Sequence, residues 1–119
     1  MQGSHLLLPI VLPGTWTTNV HFEFIAPFDL QLERVSANCD TLTSFNLAIG
    51  TTASTSAYLV DGTVTGSTTD STEYGLTDFV GDQYPHILKG TFVCVTFTHD
   101  GGAGNDAANA TILLTFSEG

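Results

Sequence analysis

Phe92-Val93-Cys94-Val95-Thr96-Phe97-Thr98 is the stretch that decides the fold. Val93, Val95 and Phe97 alternate with Phe92, Cys94, Thr96 and Thr98, the period of two that sends successive side chains to opposite faces of a strand. β-Branched and aromatic residues fill all of it except Cys94, and such residues suit a pleated, half-buried surface. The same period recurs on either side. Ile112, Leu114 and Phe116 give an inward face to Thr111–Phe116, and Phe45, Leu47 and Ile49 give another strand, ended by Gly50. Val20, Phe22 and Phe24 oppose His21, Glu23 and Ile25. Phe28, Leu30 and Leu32 continue after the Ala26-Pro27 break. At Glu33-Arg34-Val35 the phase shifts before Val35, Ala37 and Cys39 resume it, which predicts a β-bulge. The expected core is therefore Phe22, Phe24, Leu30, Leu32, Phe45, Leu47, Val93, Val95, Phe97, Ile112, Leu114 and Phe116.

Between these runs the chain is polar and less regular. Thr51 to Ser56 and Gly66 to Thr72 read as hydroxyl-rich loops. Ala57 to Val60 and Thr63 to Thr65 read as short strands, with Asp61-Gly62 between them as a hairpin turn. Glu73 to Val80 fits neither period and is expected to be irregular or a single helical turn. Gln83-Tyr84-Pro85 and Lys89-Gly90 are turns around a short strand at His86 to Leu88, and Asp100 to Asn109 is a long connection. About eight strands result, with no room for a helix of ordinary length. The expected fold is all-β, an antiparallel β-sandwich that is jelly-roll-like and carries an extended N-terminal arm. An immunoglobulin-like sandwich is the alternative. Trp16 precedes both cysteines, so the buried tryptophan between two cysteines of antibody domains is missing.

The arm forms its own unit, residues 1–14, ahead of a sandwich domain at 15–119. Leu6, Leu7, Leu8, Ile10, Val11 and Leu12 place six large apolar side chains within seven positions, with Pro9 and Pro13 among them. Proline lacks the N–H that a central strand needs, so the ribbon is an extended arm or an edge strand. Both faces of such a ribbon need cover, and one small domain readily covers one of them. These six residues are the candidate interface, and a homo-oligomer, a trimer first, is expected. Removing residues 1–14 should then weaken assembly.

Composition narrows the function. The chain has 119 residues, the size of one domain, with 19 Thr and 8 Ser but only 12% charged residues, about half the usual ~25%. Arg34 and Lys89 stand alone against twelve acidic residues, for a net charge of –10. Displacing counterions from phosphates needs a basic footprint, so nucleic acid and anionic membranes are not expected partners. The longest apolar run is far short of the ~20 residues of a spanning helix. It also lacks a preceding Lys or Arg and a cleavage site, so it reads poorly as a secretion signal. Cys39 and Cys94 are accordingly expected as buried thiols.

No motif supports catalysis. His21-x-Glu23 puts two ligand types on one strand face and could hold zinc with His99 or Asp100, but a solvated polar face is the simpler reading. The G-x-S-x-G nucleophile elbow is absent. Gly101-Gly102-Ala103-Gly104-Asn105-Asp106 fits the first six positions of the GGxGxD calcium nonapeptide. Ala108 stands where that motif wants a large apolar residue, and one copy cannot stack, so a Gly-rich loop is expected and no cofactor. Asn109-Ala110-Thr111 is a sequon without a secretory route. The expectation is no enzyme but a structural or binding module. A lectin-like carbohydrate-binding module is the alternative, with Trp16, Tyr58, Tyr74 and Tyr84 as its possible stacking platforms; a cupin-like site lacks its H-x-H pair.

Three stretches carry a resemblance. His21 to Leu30 (HFEFIAPFDL) resembles the FxAPxDxxL opening of small β-sandwich proteins on tailed-phage heads. Gly90 to Thr98 (GTFVCVTFT) is similar to their GTxVxVTFT strand, and Ala107 to Gly119 to their AANxTxxLxFxEG ending. Together these cover about half of the chain. The resemblance implies a capsid decoration (cement) protein or the base of a head fibre. Such a protein is made in the host cytoplasm and bound to the major capsid protein on the virion surface, often as a trimer, and braces the shell. Its functional residues would be interface residues.

Overall fold

The computed structural model describes residues 5–15, 19–40, 43–99 and 108–118. Nine strands run through them: β1 (His5–Thr15), β2 (Val20–Ile25), β3 (Leu30–Asn38), β4 (Ser44–Thr51), β5 (Leu59–Thr65), β6 (Thr72–Tyr74), β7 (His86–Ile87), β8 (Phe92–His99) and β9 (Ala108–Glu118). One sheet has the order β1-β9-β3-β6, with β7 also on β3; the other has the order β2-β8-β4-β5. All strand pairings among the described residues are antiparallel. The chain changes sheet at most connections, and the two sheets form the antiparallel sandwich that the count of strands predicts.

The deciding strand, β8, lies inside its sheet between β2 and β4. Val93, Val95 and Phe97 are buried on its inner face, and Phe97 packs on Phe45 with ring centroids 5.4 Å apart. The other sheet answers with Leu32, Leu114 and Phe116, all buried. Phe24 meets Phe116 edge-on at 5.9 Å, an aromatic contact between the sheets. The predicted core is buried except along β2. There Phe22 and Phe24 keep the expected inward phase, opposite Val95 and Val93. β2 is an edge strand, however, so Phe24 is only half-buried and Phe22 is exposed. The expectation for Phe22 is corrected by its place at the open side of the sandwich.

The bulge forecast at Glu33 is present, since the β3–β9 register shifts between Leu32 and Arg34. The Asp61-Gly62 hairpin is not. Both residues lie within β5, and Gly62 pairs with Leu47. Glycine is there for a close approach: a Cβ on Gly62 would stand 2.5 Å from the Tyr74 hydroxyl. That hydroxyl donates to the Thr63 carbonyl at 3.0 Å and so links β6 to the opposite sheet. The real β4–β5 turn is 52–58, which folds back so tightly that a Cβ on Gly50 would meet the Ser54 carbonyl oxygen at 2.2 Å. After β6, residues 76–78 and 80–82 form two single 3-10 turns, in line with the irregular reading of Glu73 to Val80. Gly90, at φ +87°, makes the turn before β8.

Candidate interaction surface

The apolar ribbon at the N-terminus is β1, an edge strand paired with β9 from His5 to Thr15. Its alternation divides the six candidate residues. Leu6, Leu8, Ile10 and Leu12 stand opposite Phe116, Leu114, Ile112 and Ala110 and pack on the core. Leu7 and Val11 point outward and are 57% and 59% exposed. They share the outer face with Pro9 and with Leu113, which lies opposite Pro9. This side of the sheet carries a shallow groove of about 330 Å³, lined by Pro9, Val11, Leu113, Thr111, Ser36 and Asn38 among others. The sandwich therefore covers one face of the ribbon and leaves the other open.

Polar residues of β3 and β6 border the strip. Arg34 Nε donates to Glu73 Oε1 at 2.7 Å, and Ser36 Oγ donates to the same oxygen at 2.7 Å. Ser71 donates to the other carboxylate oxygen. The Ser71 hydroxyl, with help from Ser36 and Arg34, holds the Glu73 carboxyl below its ordinary value despite partial burial. Near the start of β1, Glu33 accepts from Ser117 Oγ at 2.8 Å and stands 3.9 Å from Nδ1 of His5, two positions before Leu7.

A second group of exposed apolar side chains lies elsewhere, and the sequence reading passed over it. Ile25 pairs with Phe92 on the outer face of the β2–β8 ladder. The turn that carries Leu88 is tied to them, since Gly90 N–H donates to the Ala26 carbonyl and Thr91 N–H to that of Leu88. Ile25, Leu88 and Phe92 are 55%, 61% and 51% exposed. Lys89 sits in the same turn, its backbone N–H bonded to Asp29 Oδ1 at 2.8 Å. The available signal was an apolar residue at an outward-facing position of a strand, true of both Ile25 and Phe92.

The other candidates are placed as follows. His21 and Glu23 are exposed on β2, opposite Thr96 and Cys94. The side chain of His99 and the whole of Asp100 lie outside the described residues, as do Trp16 and the 101–106 loop. Among the described residues no group of three or more His, Cys, Asp or Glu is arranged to hold a metal ion. Cys39 and Cys94 are free and buried, as expected; burial pushes the Cys39 thiol up, and it donates to the Thr43 carbonyl at 3.4 Å. Tyr74 is a core residue and Tyr58 is half-buried, which leaves Tyr84 as the exposed tyrosine. No helix of the described residues is long and apolar enough to cross a membrane.

No protein-family model matches the chain, and no curated protein matches it. Among solved structures, its fold is similar to a chain of the cyanophage Pam1 capsid asymmetric unit. That likeness has a TM-score of 0.57 at 17% sequence identity and covers 98% of this chain and 86% of the other, a correspondence of fold along nearly the whole sandwich.

Proposed function

We propose that this protein is a virion structural protein, a decoration (cement) protein that binds the major capsid protein on the outside of a tailed-phage head as a homotrimer and stabilises the shell. The observation that carries the reading is the fold likeness to a phage capsid chain, which runs through 98% of this chain. Two further features agree with it. An acidic surface with a net charge of –10 repels packaged DNA and resists non-specific association. The outward strip at Leu7, Pro9, Val11 and Leu113 offers an apolar face of the kind that marks protein–protein contact. The chain acts by binding, with no catalytic step and no cofactor.

The test is immunogold labelling of intact virions from the producing host with antibody raised against the full chain. Gold on the heads is the expected result. Label confined to tails, or chain found wholly in the soluble fraction with unlabelled heads, overturns the reading.

A further inference from the structure

We propose that copies of this chain join head to tail, the Ile25–Leu88–Phe92 patch of one copy seated on the Leu7–Val11–Leu113 strip of the next, with Lys89 brought beside Glu33 across the contact. This deepens the proposed homo-oligomer and is independent of whether that oligomer sits on a phage head.

Three observations support it. First, the two apolar patches belong to one chain but cannot cover each other within it. Ile25 and Phe92 lie on the outer face of one sheet, and Leu7, Val11 and Leu113 on the outer face of the other. They are also displaced along the sandwich. The Ile25 end adjoins the start of β3 at Leu30, through residues 26–29, whereas Leu113 and Thr111 pair with Ser36 and Asn38 near its far end. Six to eight residues at ~3.3 Å each put roughly 20–26 Å between those levels, while the Leu7 end of the strip, level with Arg34 through Thr115, lies within about 13 Å of the Leu30 level but on the other sheet. Two different patches on opposite faces suit a heterologous contact, which closes into a ring when the rotation allows.

Second, the charges sort the same way. The chain has two basic residues, and Arg34 is paired with Glu73. Lys89 makes no ion pair among the described residues and stands in the turn tied to the Ile25–Phe92 end of the ladder, its backbone N–H bonded to Asp29. The strip on the other sheet has Glu33 at one end and Glu73 at its side. Bringing strip to strip about a two-fold axis would set these carboxylates near their own copies. Bringing patch to strip sets the unpaired cation Lys89 among them, together with Glu23, which shares the outer face of β2 with Ile25, whereas the first arrangement makes only like-charge contacts, which are costly.

Third, the free edge of β1 is ill-suited to the rival contact, strand-to-strand pairing. Pro9 lies in its middle, and proline on an edge strand sits where its missing N–H would face outward. A neighbour's strand would lose a hydrogen bond there, so the outer face is the better contact.

The experiment measures the mass of the full chain by sedimentation and native mass spectrometry, with circular dichroism as the check on folding. Wild-type chain is expected to assemble as a ring. Lys89→Glu, in an exposed turn, should keep the β signal but weaken assembly roughly tenfold or more. Glu33→Lys should weaken it as well, and the two changes together should restore most of it. Phe92→Ser, on the outer face, is a second route and should also dissociate the ring without unfolding the chain. A monomer at every concentration, or a dimer indifferent to Lys89→Glu and Phe92→Ser, overturns the proposal. So does failure of the double variant to recover. None of these results depends on head binding, so the capsid reading stands or falls separately.

Discussion

At the scale of single residues, Glu73 shows how a surface carboxylate becomes structural. One acid accepts from Ser71, Ser36 and Arg34, and thereby fastens the three-residue strand β6 to β3. A carboxyl held below its ordinary value contributes stability when ionised. That contribution is full above the unfolded-state value of about 4.3 and fades as pH falls through the lower, folded-state value. Glu73→Gln should therefore lower the melting temperature at neutral pH. The gap between variant and wild type should narrow on acidification below about pH 4, as followed by thermal melts across that range. A gap that stays constant with pH would assign the loss to packing instead of charge. Nothing in the sequence pointed to this cluster, because Arg34 and Glu73 are 39 positions apart and only the β3–β6 register makes them neighbours.

At the scale of elements, the period of two was enough to place β2, β4, β8 and β9 and even the bulge in β3; in β4, β8 and β9 a buried face tolerates no slip in phase, and β2 keeps the same phase with its inward side only partly covered. It failed where another force set the backbone. Asp61-Gly62 has turn chemistry, yet Gly62 is used as space for Tyr74 inside β5. The candidate interface was half legible for a related reason. Alternation shows that β1 has two faces, but not which one the sandwich covers until Leu8 is found opposite Leu114. The Ile25–Leu88–Phe92 patch was less legible still, since it is assembled from a ladder and a turn. The division of β1 makes a direct prediction. Ile10→Ala, facing the core, should cost roughly 2–5 kcal/mol in denaturant unfolding. Val11→Ser, one position on, should change stability by no more than about 1 kcal/mol while weakening self-association. Equal losses of stability at both sites would mean that the outer face is not free in the single chain. Point variants are also better probes than removal of residues 1–14. That deletion strips β9 of one of its two partner strands and takes four core-facing side chains with it.

At the scale of the whole molecule, assembly has to overcome charge. Each copy carries –10, so bringing copies together opposes a repulsion that acts over long distances, while the contact itself offers apolar burial and one short-range pair at Lys89. Salt acts on these unequally. The screening length falls from about 30 Å at 0.01 M to about 8 Å at 0.15 M, which removes most of the repulsion between distant carboxylates. Apolar burial does not weaken over that range, and an exposed ion pair is worth only about 0–1 kcal/mol to begin with. The repulsive sum of many charges should therefore outweigh the loss of one attractive pair. The average mass in sedimentation at a fixed protein concentration should rise between 0.01 M and 0.15 M salt. Lys89→Glu should show a steeper rise from a lower starting mass, because it exchanges the local attraction for further repulsion. A wild-type mass that falls as salt is added would mean that charge pairing, and not the apolar patches, holds the copies together.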